Sequence, residues 1–87
     1  MNLAQTIRTR LIALEPVSVE IQDESDQHLG HAGWRPGGSH FRLVIVSSCF
    51  AGKDRLSRHR MVYEALGPLM HKDIHALAIH ALAPDEL

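Results

Sequence analysis

His40-Phe41-Arg42-Leu43-Val44-Ile45-Val46-Ser47 decides how the rest of the chain is arranged. Apolar residues stand at consecutive positions through its centre, so neither face of this segment is written for water. Such a run reads as a strand covered on both sides, or one in the middle of its sheet. Upstream, Val17-Ser18-Val19-Glu20-Ile21-Gln22 alternates strictly between apolar and polar, the pattern of a strand with one buried and one wet face. Downstream, Ile74 to Leu82 alternates again and is dense in Ala, Leu and Ile, which predicts a third strand.

Helical periodicity fills the remaining space. Leu3, Ile7, Leu11 and Leu14 fall on one face of an opening helix, with Arg8 and Arg10 off it. Asn2 is placed to cap its start, and Pro16 prevents continuation beyond Glu15. From Arg55 to Leu66 the pattern is helical again, with Leu56, Val62, Leu66 and Leu69 along one stripe and Ser57 in an N-cap role. Gly67-Pro68 breaks or kinks that helix. Phe50-Ala51-Gly52-Lys53 reads as a turn, and Pro84-Asp85-Glu86 begins another helical turn. The order helix, strand, strand, helix, strand predicts an α+β domain of two layers, a three-stranded sheet with helices on one face. The uncovered face, or a free sheet edge, is then a docking surface.

Asp23 to Ser39 interrupts this order. It is rich in Gly and polar residues, holds His28, His31 and Trp34, and exceeds the ~12–15 residues usual for a structureless loop in a compact domain. Loops of that length tend to carry function. Residues 1–87 suit a single domain with one core and little interior for an enclosed active site. Aromatics make up only 5% of the chain, so that core must be built from aliphatic side chains. No apolar run approaches the ~20 residues of a membrane span, and Met1 to Arg10 lacks the apolar centre of a secretion signal. A lone cysteine, Cys49, cannot form an internal disulfide, which points to a reducing compartment such as the cytoplasm. The net charge of −1 gives no general pull toward nucleic acid or membrane.

The segments Ser39-His40-Phe41-Arg42, Phe50-Ala51-Gly52, Arg58-His59-Arg60-Met61-Val62-Tyr63 and Ile74-His75-Ala76-Leu77-Ala78-Ile79 together resemble the BolA family, in its order and at compatible spacing. Asp23-Glu24-Ser25, ahead of the His-containing loop, is similar too. The resemblance runs from the first helix to Glu86. It implies a fold like a class II KH domain and pairing with a monothiol glutaredoxin around a shared [2Fe-2S] cluster. In that arrangement glutaredoxin supplies a cysteine, glutathione a thiolate, and the BolA-like chain His75 together with a residue from the loop between the first two strands. Counting forward from Asp23 favours His28 and counting back from His40 favours His31; the choice stays open. Some bacterial members are transcriptional regulators.

Chemistry makes the ligand reading workable. A histidine on a strand is ordinarily a packed or hydrogen-bonded structural residue, but a neutral imidazole keeps a free lone pair near pH 7. Rieske centres show two histidines on one iron. His28 and His31 with one distant cysteine make a poor closed zinc site, which wants four protein ligands. An incomplete set is what a site shared between molecules looks like, and the isolated monomer is expected to hold no cofactor. His40, His59, His71 and His80 are read as structural or surface residues.

Lys53, Arg55, Arg58 and Arg60 form a basic group at the turn and first helical turns, suited to DNA phosphates, glutathione carboxylates or an acidic partner surface. RNA-binding KH domains clamp the backbone with a Gly-x-x-Gly loop. Gly52-Lys53-Asp54-Arg55 has the first glycine and lacks the second. No Ser/His/Asp arrangement, paired carboxylates or phosphate-cradling glycine loop is present, so catalysis is not expected.

Overall fold

The computed structural model describes residues 3–24, 40–72, 74 and 76–87. Three strands form one mixed sheet: β1 (Ser18–Asp23), β2 (His40–Val46) and β3 (Ala76–Leu82), in the spatial order β1-β2-β3. The segment with adjacent apolar residues is indeed the central strand. β1 pairs with it antiparallel, setting Val19 opposite Ile45 and Ile21 opposite Leu43. β3 pairs with it parallel, setting Leu77 opposite Phe41 and Ile79 opposite Leu43.

This register puts Val19, Ile21, Phe41, Leu43, Ile45, Leu77, Ile79 and Ala81 on one face. There they meet Ile7 and Leu11 of α1 (Leu3–Leu11) and Val62 and Leu66 of α2 (Arg55–Leu66), with Phe50 fully buried among them. The opposite face carries Glu20, Gln22, Arg42 and His80, all exposed, so helices and core share one side of the sheet. The two-layer α+β reading holds. Val17, at the start of the alternating segment, is the exception: it is 70% exposed and precedes the strand.

Element ends differ from the sequence reading for local reasons. α1 stops at Leu11 and tightens to a 3-10 turn over Ile12–Leu14, because Pro16 denies Glu15 the helical region. Glu15 instead takes φ 50°. The start of α2 is capped by Asp54 rather than Ser57: the Asp54 carboxylate accepts the Ser57 N–H at 2.8 Å. This holds the Asp54 carboxyl below its ordinary pKa. Leu56, expected on the buried stripe, is 61% exposed, and the inner face of α2 is made by Val62 and Leu66 with Met61 and Ala65. Gly67 ends α2 at φ 57°, ψ −133°, a conformation that favours glycine, and a four-residue helix α3 (Leu69–Lys72) follows. Ile74 is buried and donates its N–H to the Leu69 carbonyl at 2.9 Å, closing the α3 turn, so the strand begins at Ala76 and not at Ile74.

Ser47 ties the sheet centre to the α1 turn. Its buried hydroxyl donates to the Leu14 carbonyl at 2.7 Å and accepts the Cys49 N–H at 3.2 Å. This starts the 3-10 turn Ser48–Phe50 that drops Phe50 into the core. Among the described residues no helix is long and apolar enough to cross a membrane.

Candidate functional site

Two places collect the side chains that could carry function. The first is one end of the sheet. Glu24 donates its N–H to the His40 carbonyl at 2.7 Å, and His40 stands opposite Ala76 in the parallel register. Glu24, just past the end of β1, therefore lies beside His40 of β2, which lies beside Ala76 of β3. Glu24 precedes the segment 25–39, His40 follows it, and Ala76 follows His75. The expected ligands His28, His31 and His75 themselves lie outside the described residues. Among the described residues no cluster of three or more His, Cys, Asp or Glu is arranged to hold a metal ion. Arg42, on the open face beside this end, sits 3.6 Å from the Glu24 carboxylate.

Cys49 lies at the other end of the molecule. It follows Val46, and the seven residues of β2 separate that end from His40 by about 20 Å. Half-buried, it lies 3.1 Å from the Ser47 hydroxyl and 3.6 Å from the Leu14 carbonyl. It is part of a structural clasp, and no ligand set that includes the Ala76 end of the sheet reaches it.

The second place is an open cleft between the start of α2 and the free edge of β3, lined by Lys53, Arg55, Arg58, His59, Ile79, His80, Ala81 and Leu82. Gly52 makes the turn into it at φ 74°, where a side chain is rarely accommodated. Three of the four basic residues read from sequence line the cleft, and Arg60 does not. Two histidines read as incidental, His59 and His80, do line it. The four cations are not equivalent, because Arg58 is fully engaged. Its Nη1 and Nη2 grip Glu86 at 2.6 and 2.9 Å, its Nη1 also donates to the Ala81 carbonyl at 3.0 Å, and its Nε donates to the Lys53 carbonyl at 2.9 Å. Glu86 accepts the Ala83 N–H as well, at 2.8 Å, which holds the 3-10 turn Pro84–Glu86 against α2. The Arg58 guanidinium, then the Ala83 N–H, lower the Glu86 pKa to about 2. An arginine so occupied is a clasp and not a phosphate contact. Of the basic group, Arg58 is thus committed within the molecule, while Lys53, Arg55 and Arg60 are exposed.

The Arg58–Glu86 pair spans 28 positions in sequence, so no local pattern announces it. Its one signal was the Glu86 carboxylate three residues after Ala83, the spacing at which an acidic side chain reaches back to a turn's first N–H.

Comparison with known proteins gives a consistent result. Residues 11–86 match the family model described as BolA-like protein. The chain is 45% identical over 89 residues to an uncharacterized protein in the cobS 5' region of Sinorhizobium sp, covering 99% of this chain and 96% of that protein. It is 41% identical over 81 residues to the DNA-binding transcriptional regulator BolA of Escherichia coli, covering 92% of this chain and 74% of that one. The solved BolA domain of SufE1 from Arabidopsis thaliana superimposes with a TM-score of 0.83 at 39% identity, covering 100% of this chain and 99% of that chain. Other relatives are longer: the chain spans 56% of Protein BOLA1 and 21% of SufE-like protein 1, both of Arabidopsis thaliana.

Proposed function

We propose, because this chain belongs to the BolA family, that it is a non-catalytic adaptor which pairs with a monothiol glutaredoxin around a shared [2Fe-2S] cluster, in cluster assembly, trafficking or iron-linked regulation. The observation that carries the reading is the sheet end where Glu24, His40 and Ala76 stand side by side. Glu24 and His40 are the described residues that flank 25–39 in sequence, and Ala76 directly follows residue 75, so positions 36 apart in the chain are neighbours across β2 and β3. In this reading His75 and either His28 or His31 offer neutral imidazoles to one iron. The partner's cysteine and glutathione supply the thiolates that this chain lacks, since Cys49 sits at the far end of β2. The donor set would fit such a cluster: two neutral imidazoles in place of thiolates on one iron leave it less negative and raise its potential, as in Rieske centres. A reducing compartment, the cytoplasm, suits both the lone thiol and the cluster.

The test is to mix the protein with cluster-loaded glutaredoxin and record visible circular dichroism. The spectrum should change on mixing, and His75→Ala should abolish the change. Of His28→Ala and His31→Ala, one should behave like His75→Ala and the other like wild type. An identical spectrum with wild type and His75→Ala would sink the ligand assignment.

A second reading is a DNA-binding regulator using the turn and helix from Gly52 to Tyr63. It is favoured by the exposed Lys53, Arg55 and Arg60, and by the Escherichia coli relative whose name states that activity. Promoter DNA binding should then weaken steeply with salt, and Lys53→Ala with Arg60→Ala should flatten the salt slope. Binding indifferent to both substitutions would count against it.

A further inference from the structure

The ladder pattern of β3 leaves part of its backbone facing outward. Ser47 donates its N–H to the Leu82 carbonyl, so Leu82 points its backbone groups at β2. In a parallel strand the groups of alternate residues share a direction. Ala78 and His80 therefore also face β2, while Leu77, Ile79 and Ala81 turn their N–H and C=O groups away from the sheet. β3 is an edge strand, and no strand among the described residues pairs with it on that side. Arg58 takes the Ala81 carbonyl and closes one end of the edge. Among the described residues none blocks the Leu77–Ile79 portion in this way, and it carries no Lys, Asp, Glu or Pro, the usual means by which an edge strand refuses partners. The cleft runs alongside β3 from Ile79 to Leu82, so it meets this portion at Ile79, and no carboxylate among the described residues lines it. The nearest acidic groups are committed or outside: Asp54 to the α2 cap, Glu86 to Arg58, and Asp85 exposed on the terminal turn.

We propose that this edge is a docking site for an extended, acidic segment of a partner protein, which adds a fourth strand beside β3. Main-chain bonds to Leu77 and Ile79 provide the attachment, and the partner's carboxylates meet Lys53 and Arg55 across the cleft. A single-stranded nucleic acid is the competing occupant of a basic groove. It is disfavoured because no Phe, Tyr or Trp among the described residues lines the cleft for a base to stack on, and because outward N–H and C=O groups in alternation match a peptide's backbone rather than a phosphate chain. The site adjoins, at Ala76, the sheet end proposed for the cluster ligands, but it does not rest on that reading, and its test contains neither glutaredoxin nor iron.

The probe is an acetylated, amidated hexapeptide of alternating valine and glutamate, added to the full chain labelled with nitrogen-15. The amides of Leu77 and Ile79 should shift and exchange with solvent at least about tenfold more slowly at saturation, as expected for amides that enter a ladder. A peptide N-methylated at alternate positions should lose this protection. The double variant Lys53→Glu/Arg55→Glu should weaken binding by about tenfold, in keeping with two rim charge pairs of modest strength. Four results would overturn the proposal. One is the absence of any shift at millimolar peptide. Another is equal binding of the N-methylated peptide, which would reduce the effect to charge alone. A third is stronger protection of the same amides by an oligothymidylate. The last is protection that grows with protein concentration without peptide, which would make the edge a contact between two copies of this chain.

Discussion

The two edges of the sheet use the same device in different surroundings. On β1 the outward carbonyl of Val19 accepts a bond from Arg8 Nη1 of α1 at 3.0 Å. On β3 the outward carbonyl of Ala81 accepts one from Arg58 Nη1 of α2, also at 3.0 Å. In each case a helix on the covered face reaches around the sheet and satisfies one acceptor that edge pairing would otherwise claim. Beyond that carbonyl the edges diverge. β1 alternates apolar residues with Ser18, Glu20 and Gln22, ends on Asp23, and keeps Val19 and Ile21 only half-buried. β3 has no Lys, Arg, Asp or Glu, and it buries Ile79 in the main core. The β1 edge is protected by its own composition. Among the described residues the β3 edge is protected at one point, by an arginine that is gripped by Glu86. An edge strand anchored firmly in the core and left open outward is a platform, and one that is half-buried and charged is a boundary.

The difference in anchoring should be visible in stability. Ile79→Ala, which empties a site 7% exposed between β2 and α2, should cost about 2–4 kcal/mol in urea unfolding. Ile21→Ala, across the same face on β1, should cost about 1–2 kcal/mol because its side chain is only partly withdrawn from water. Equal losses would mean that the two edges are anchored alike. Between them, Ser47→Ala should cost about 1–3 kcal/mol, since it leaves the Leu14 carbonyl and the Cys49 N–H without their partner in a buried setting. That substitution should leave exchange at both edges unchanged relative to global stability.

The edges were unequally legible in sequence. Leu43-Val44-Ile45-Val46 left two readings, a strand covered on both faces or one in the middle of its sheet, and the second is the one that holds, because the face bearing Arg42 and Val44 is open. The alternation of β1 and β3 gave their faces but not their ends. Ile74 continues the alternation of β3 yet closes the α3 turn, and periodicity does not distinguish a buried turn residue from a buried strand residue. Ser57 and Asp54 are both competent caps, and which one is used depends on where the Gly52 turn releases the chain. The basic group was visible as composition. Its division into one engaged arginine and three exposed cations was not, because it is made by Glu86 from the other end of the chain. The candidate ligands His28, His31 and His75 were legible only through family resemblance, and the structure adds to them the shared sheet end of their described neighbours.

The arginine that guards β3 should be the more consequential of the two. Arg58→Ala removes bonds to Glu86, Ala81 and Lys53 at once, whereas only one such bond is made by Arg8. The Glu86 carboxyl should return from about 2 toward its ordinary 4.5, readable by NMR titration of its side chain. The direction fixes the pH dependence. A carboxyl lowered in the folded state contributes stability that is present above its unfolded pKa and is lost as pH falls through its folded one. Wild type should therefore exceed Arg58→Ala by a constant margin above about pH 5. That margin should narrow as pH falls from 4.5 to about 2 and Glu86 is protonated, leaving the part owed to the Ala81 and Lys53 carbonyls. Arg58→Lys should restore only part of it, because an ammonium cannot make the two-pronged contact of a guanidinium. A margin independent of pH down to 2 would show that Arg58 acts by packing and not through Glu86.

Arg8→Ala should have the smallest effect, within about 0.5 kcal/mol, as for most exposed side chains. Its value lies in what it leaves standing. If Arg8 were the chief guard of β1, its removal would turn that strand into a second docking edge, and the acidic valine–glutamate peptide would shift the amides of Val19 and Ile21 as well as those of β3. The charges on β1 argue otherwise. Glu20 on the open face, and Asp23 at the strand's end, repel an acidic segment whether or not the Val19 carbonyl is capped. The expected outcome is a chain with normal stability, an uncapped Val19 carbonyl exposed to water, and no response at β1 to the peptide. The same chain with Glu20→Lys added should begin to respond. An edge, on this view, is closed mainly by the charge its strand displays, and the bridging arginine sets only where along the strand pairing must stop.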